Sequence, residues 1–459
     1  MRGDGWPLAR FWLSVFLLLL SGCSETDPDV LPPSPLSFEE LKQRVSRIRG
    51  LPFEHEISLE TRPTETIQAV LEKSLGEEYR KENLQQQERV YARLGLLPEA
   101  TDLAKALLEL RLFHQGVYDS RGKTILLPKG PLKTGLIFLG ASSVPEDITK
   151  QFLLIHALSY ILQEQHFRWE EKIRNRNTED SGLTLRALKK GDAVLVALEH
   201  LMGDPKENRQ KIVNGVKTLS RLPAQIDREL PHLPELLRQK EGFQFVQGSE
   251  FVSWAYFLKG WEGVNALFRH PPLSTEQILH PEKYYLKRDD PVRITPWALI
   301  QRLSGKKIME ETLGEFLILT LLSRSLSKGE AMQAAAGWAG DSLLAFQQGE
   351  ELVLGWVTAW DDREEAGEFY RGFRTALERR HGVPLGPSQT GADTLTTSPS
   401  SRRSLLLQIR DNFVFFLDGI PPPRSVEIAD DLWNDLETGV ESEPFELAKR
   451  SRQTRPAGR

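Results

Sequence analysis

One cysteine in 459 residues, Cys23, rules out any disulfide within the chain. Nor does one sign of charge dominate: 59 Lys and Arg stand against 64 Asp and Glu, a net charge of -5. No basic stripe recurs, so nucleic acid is excluded as a partner. The longest apolar run, Phe11–Leu20 (FWLSVFLLLL), is too short for a permanent membrane-spanning helix. No G-x-S-x-G elbow occurs, and no internal repeat. What is left has 40% hydrophobic and 27% charged residues, as in ordinary globular proteins. The length suffices for a substantial core in two or three domains.

The apolar run follows Arg2 and Arg10, the layout of a secretory signal over residues 1–22. Leu20-Ser21-Gly22-Cys23 then resembles the lipobox of bacterial lipoproteins, which implies cleavage before Cys23 and acylation of its thioether and new amino terminus. The plainer alternative is a cysteine that merely lies near a cleavage site. Against it, a lone thiol in an oxidising compartment is a liability that lipidation removes. Several acyl chains together give stable anchoring to a membrane. By analogy with envelope lipoproteins, Ser24 favours the periplasmic side of the outer membrane over the inner membrane. Residues 23–36, polar and proline-rich, then form a lipidated tether.

The remainder predicts an α+β protein, predominantly helical, with a small β element before a central helix and strands near the C-terminus. Leu36–Arg49, Pro63–Leu94 and Ala100–Phe113 have helical spacing. Gly116–Pro128 reads as a hairpin or edge strand, and Leu136–Ala141 (LIFLGA) as a further strand. Helices are expected at Thr184–Leu201, Lys206–Leu222, Gly248–Phe268, Leu313–Leu326, Lys328–Gly337 and Glu364–Arg380. Glu351–Trp360 is the clearest strand of the second half, and Pro271–Tyr285 reads as a turn-rich connection. The expected organisation is a main domain at 37–382, a flexible loop at 383–403, a strand hairpin at 404–438 packed on that domain, and a disordered tail at 439–459. The hairpin turns at Asp411-Asn412.

The stretch QFLLIHALSYILQEQHF, residues 151–167, carries the chemistry in question. A zinc-protease helix reads H-E-x-x-H, because residues four apart share a helix face and two imidazoles then reach one metal. The glutamate activates the bound water, and a third ligand comes from a distant helix. Here the five residues are His156, Ala157, Leu158, Ser159 and Tyr160.

With its flank Gln163–Phe167, this helix resembles that of a family of uncharacterised prokaryotic zincin-like, gluzincin-type metallopeptidases, approximately H-E-L-x-H-A-L-Q-D-Q-H-F. The resemblance covers roughly residues 40–420. It includes the blocks Gly116–Leu127, Gly260–Tyr284 (with STEQILHPEKY), Thr312–Phe316 and Ala334–Phe346. In this register His156 is kept, the base has become Ala157 and the second histidine Tyr160. The family's A-L-x-E-G-D-A motif, whose glutamate the resemblance implies as third ligand, reads Ala187–Ala193 with Lys190 in its place.

Loss of a general base alone removes roughly 10²–10⁴ in rate, and loss of two of three ligands removes the metal. The expectation is a zincin-like protein without hydrolysis and without cofactor, its ancestral zinc lost. Such a protein would bind or scaffold a peptide or protein partner in the cell envelope. The alternative is an active envelope hydrolase with a rebuilt or relocated metal site. Lys190 is expected to fill the vacated metal volume and to donate to His156 or the Tyr160 oxygen.

His166 follows His156 by the spacing of an H-E-x-x-H-x-x-G-x-x-H third ligand, but Gln163 replaces the glycine. On a continuous helix the two rings lie roughly 15 Å apart along the axis. His166, Asp192, Glu276 and His280 remain as candidate cleft residues. For the STEQILHPEKY block two readings stand. Ser274 and Gln277 can form a helix-start box, or Glu276, His280 or Tyr284 can line a cleft wall. The pairs Gly260-Trp261 and Gly337-Trp338 read as close helix packing.

Overall fold

The computed structural model of the chain describes residues 36–113, 117–119, 123–130, 146–202, 209–388, 391–397 and 403–440. The expected signal peptide, Cys23, the tether up to residue 35, the Leu136–Ala141 strand and the tail from residue 441 lie outside the described residues. The fold is mixed α and β and predominantly helical. It divides into two compact units.

Of the described residues, the first unit comprises those within 36–84, 101–175 and 185–271. Its first helix, Phe38–Arg49, opens on a reciprocal box in which Ser37 and Glu40 satisfy each other's backbone N–H, and closes on Gly50 in the left-handed region. A three-stranded sheet follows, with β1 (Ser58–Arg62) parallel to β3 (Thr124–Pro128) and β2 (Val117–Asp119) antiparallel on the other edge of β3. The expected hairpin is therefore β2–β3. Ile125 and Leu127 of β3 pack into a core with the helix Glu146–Phe167, while Leu126, pointing the opposite way, packs on Ile67 and Leu71. The helix expected over Pro63–Leu94 is two, Thr64–Glu78 and Lys81–Leu94, because Tyr79 takes an extended conformation between them.

The motif helix, Glu146–Phe167, is itself the core. Phe152–Ile155, Ala157, Leu158, Ile161 and Leu162 are all buried, on every side of the axis. Two long helices, Glu179–Met202 and Glu235–Arg269, cross at Gly191 and Gly248. A Cβ on Gly191 would collide with the Gly248 carbonyl, and one on Gly248 with the Ala187 carbonyl. The second of these helices is kinked at Gly260, whose φ of 62° only glycine adopts freely. Gly260 therefore serves a bend, and it also lies close against the Arg209 side chain of helix Arg209–Lys217, in line with the expected packing.

Of the described residues, the second unit comprises those within 85–100, 176–184 and 272–440. Its seven-stranded antiparallel sheet runs β5-β6-β7-β11-β10-β9-β8. The strands are β5 (Lys306–Glu311), β6 (Trp338–Gln348), β7 (Glu351–Trp360), β8 (Gly386–Ser388), β9 (Gly391–Thr396), β10 (Leu405–Arg410) and β11 (Phe413–Asp418). One face carries Leu344, Val353, Val357, Phe415 and Leu417 against helices Trp297–Arg302 and Arg424–Asp435. On the other, Trp356, Trp360 and Phe416 meet Phe369 and Phe373 of helix Arg363–His381. Burial on both faces explains why β7 reads as one apolar run rather than an alternation.

Four expectations need correction here. The loop at 383–403 contains β8 and β9, which extend the sheet. The 404–438 hairpin is not an appendage, since β10 and β11 sit inside the sheet between β7 and β9, and helix Arg424–Asp435 follows them. Gly439 and Val440 belong to β12 (Leu436–Val440), paired antiparallel with β4 (Val292–Pro296). The span 37–382 divides between the two units.

Candidate functional site

The motif helix places His156 and Tyr160 one turn apart on one side, their rings edge-on at 6.4 Å. His156 Nδ1 donates to the Phe152 carbonyl at 3.1 Å, which is the tautomer a metal-binding imidazole needs. Ala157 is buried in the core and offers no base. Burial pushes the Tyr160 hydroxyl far above its ordinary range, and the carboxylates of Glu241, Glu170 and Asp192 add to this. A phenolate ligand is thereby disfavoured, although the Lys189 ammonium stands 4.2 Å from the ring centre.

Lys190 does not donate to His156 or Tyr160. Its ammonium forms an ion pair with Glu241, whose side chain is 2% exposed, and lies 4.3 Å from the Phe245 ring centre. Glu241 and Phe245, one turn apart on helix Glu235–Arg269, both face it. A carboxylate attracts the ammonium more strongly than a neutral imidazole or phenol can, which is why the expected partners lose. Burial lowers the Lys190 pKa, Glu241 opposes this, and the neighbouring charges of Lys189 and Arg186 reinforce it. The three residues that the resemblance aligns with metal ligands, His156, Tyr160 and Lys190, do not fit zinc: one imidazole, one neutral phenol, and one cation already joined to its counter-ion.

Asp192 is not a cleft residue. It is fully buried, accepts from Gln163 Nε2 at 2.6 Å and lies 3.1 Å from Arg49 Nε, in an ion pair without good hydrogen-bond alignment. Burial raises the Asp192 pKa and lowers that of Arg49, whose guanidinium also sits 4.6 Å over Trp261. His166 is structural too, its Nε2 donating to the Pro52 carbonyl at 2.7 Å. Beside it Gln165 accepts from the Glu54 N–H, and Phe167 stacks on Phe268. The Gln163–Phe167 flank thus ties the motif helix to its surroundings at four points.

In the second unit the STEQILHPEKY block forms helices Thr275–Leu279 and Glu282–Tyr285 rather than a plain connection. Ser274 caps the first by accepting from Gln277 N–H, while the Gln277 side chain accepts from Leu273 N–H. The helix-start reading therefore fits, with the return bond one residue earlier than expected. Glu276 is 1% exposed. Its pKa is raised to about 8 by burial, although Lys283 opposes this at 2.6 Å. Lys283 also reaches Asp289 at 3.0 Å and Asp361 at 2.5 Å. Burial disfavours its charge, but these carboxylates outweigh that and hold the pKa above its ordinary value. His280 Nε2 meets Glu315 Oε1 at 2.9 Å; that bond raises the His280 pKa against burial.

Sequence reasoning did not assign three residues that organise these regions. Glu241 falls on the apolar face of its helix with Leu237, Phe245 and Gly248, and a charge at such a position was the available signal. Lys283 lies inside the STEQILHPEKY block, but its convergence with Asp361 joins residues far apart in sequence. Asp341, of the Gly337–Asp341 stretch, accepts from the backbone of Leu313 and Gly314 and from the indoles of Trp338 and Trp356, all within 3.1 Å. It caps helix Gly314–Ser323 from β6. Gly337-Trp338 is thus a strand start, where Gly337 lies close against the Glu365 side chain of helix Arg363–His381, and Gly340 makes a second close approach, to the Val292 carbonyl.

Neither the curated proteins nor the solved structures compared with the chain contain a match to it. A family model described as Domain of unknown function (DUF8575) matches residues 301–427, which takes in the whole seven-stranded sheet from β5 to β11 and lies within the second unit.

Proposed function

We propose that this chain is a lipid-anchored envelope protein, acylated at Cys23, whose zincin-like scaffold no longer hydrolyses peptides and serves instead to bind or scaffold a peptide or protein partner. The observation that carries the reading is the Lys190–Glu241 ion pair. At the position of the third metal ligand stands a cation that already holds its own counter-charge. A divalent ion entering there would meet an ammonium with donors only. Ala157 completes the loss, since it puts a methyl group where the resemblance places the glutamate that activates water.

The alternative of a relocated metal site has one candidate group among the described residues. Oxygens of Glu276, Asp289 and Asp361 lie within 4.8 Å of one another. The Lys283 ammonium already contacts all three, so this group favours an internal cation over a metal.

The test measures zinc content and casein hydrolysis of the full chain beside an Ala157→Glu, Tyr160→His, Lys190→Glu variant. The expected result is no stoichiometric zinc and no hydrolysis in the parent. The variant should be destabilised without metal, because the carboxylate introduced at position 190 would face that of Glu241, and should regain melting temperature on zinc addition. Stoichiometric zinc with hydrolysis in the parent refutes the reading.

A further inference from the structure

Just before the Gly260 kink, helix Glu235–Arg269 carries Trp254, Phe257 and Leu258, which are 44%, 50% and 58% exposed. Their spacing places them within one strip of the helix surface. The kink ends the strip, because Trp261 turns inward to meet Tyr256 at 5.1 Å and to donate to Glu199. Arg209 borders the strip, its Nη1 donating to the Phe257 carbonyl at 3.5 Å, and Lys211 and Lys259 are exposed nearby in sequence. Glu250 and Glu262, also exposed, offset some of that charge.

We infer that this ridge docks on the phospholipid surface to which Cys23 anchors the chain, an inference that rests on the lipid-anchor reading above. Two observations select a bilayer over a protein. First, the ridge is built from three exposed apolar side chains, whereas a stable protein interface takes about 20–30 residues and about 800 Å² from each partner. A bilayer needs no such area once an acyl anchor holds the protein beside it. Second, the chain between Cys23 and Leu36 reaches at most about 45 Å fully extended. A unit of this size is itself about 45 Å across, so the anchored first unit cannot stand clear of the membrane by more than its own width. Tryptophan, with an apolar body and a polar N–H, suits the headgroup boundary. With basic and acidic neighbours nearly balanced, apolar insertion rather than charge drives the docking.

The test reconstitutes the full acylated chain into vesicles of phosphatidylethanolamine and phosphatidylglycerol carrying a photoactivatable phospholipid, and maps the labelled peptides by mass. Label is expected in the peptide containing Trp254–Leu258. A Phe257→Ser, Leu258→Ser variant should lose that label at least about tenfold, with unchanged vesicle recovery and melting temperature. Acylated parent without label in this peptide overturns the ridge and leaves the anchor standing. Cross-links from the ridge to a second copy of the chain, in place of lipid, also overturn it. An N-terminal peptide without acyl mass overturns the anchor and this inference with it.

Discussion

Replacing Glu241 by leucine leaves the Lys190 ammonium, 16% exposed, in the interior beside the like charges of Lys189 and Arg186. Breaking a buried pair by removing one partner costs roughly 3–5 kcal/mol, because the remaining charge stays desolvated. For a unit of about 200 residues, each kcal/mol moves the midpoint by about 2–4 °C, so the first unit should melt about 6–20 °C lower. The double variant Lys190→Met, Glu241→Leu removes both charges and should recover most of the loss, since apolar replacement of a buried pair is often neutral. Thermal unfolding with hydrogen exchange on peptides from helices Glu179–Met202 and Glu235–Arg269 reads the first unit separately from the second.

A pH signature accompanies the Glu241→Leu variant. With its counter-charge gone, the folded Lys190 pKa falls further below its unfolded value, so the unfolded state binds more protons. Stability of the variant relative to the parent should therefore rise with pH. Single variants indistinguishable from the parent, or losses that simply add in the double variant, would refute a buried coupled pair and with it the main support for the proposed function.

Gly191→Ala should destabilise the first unit by more than the ordinary 1–3 kcal/mol of overpacking, because the new methyl meets a backbone carbonyl that cannot rotate away; denaturant midpoints measure it. Asp341→Ala leaves two backbone N–H groups and two indoles without their acceptor in the sheet interior. At roughly 1–3 kcal/mol for each buried donor left unsatisfied, the second unit should lose its cooperative melting transition. His280 has a raised folded pKa, so its stabilising contribution is fully present below its unfolded pKa of about 6.5 and is lost as pH rises through the folded value. The stability gap between parent and His280→Gln should accordingly be wider at pH 6 than at pH 8.5, and an equal gap at both would exclude the Glu315 bond as its source.

Where the chain's chemistry is local, the sequence was legible. The motif helix, the hairpin before it, the β7 run and the Asp411-Asn412 turn all follow from periodicity or turn chemistry within a few residues. Apart from β6, the strands that went unread are short or end-of-sheet elements, β1, β4, β5, β8, β9 and β12, whose pairing partners supply most of their definition. The Gly337–Asp341 stretch hid a strand because its small residues have weak preferences and its anchor, Asp341, bonds to residues far away in sequence. Site composition was likewise visible while its wiring was not. Ala157 and Tyr160 stand out against the H-E-x-x-H pattern and Lys190 against A-L-x-E-G-D-A, but the Glu241 partner and the Gln163–Asp192–Arg49 chain join separate helices.

That last chain has a mechanical consequence. Any pull on the N-terminal segment enters the fold at Ser37 and travels along helix Phe38–Arg49. The exposed first turn, held by one reciprocal cap, can unwind under load. Tension then arrives at Val45, Ile48 and finally Arg49, whose guanidinium is clamped between Asp192 and the Trp261 ring in the unit's interior. The ion pair and the packed face around it must slide together rather than separate contact by contact. The helix that begins at Phe38 is therefore a sacrificial spring at one end and a rivet at the other.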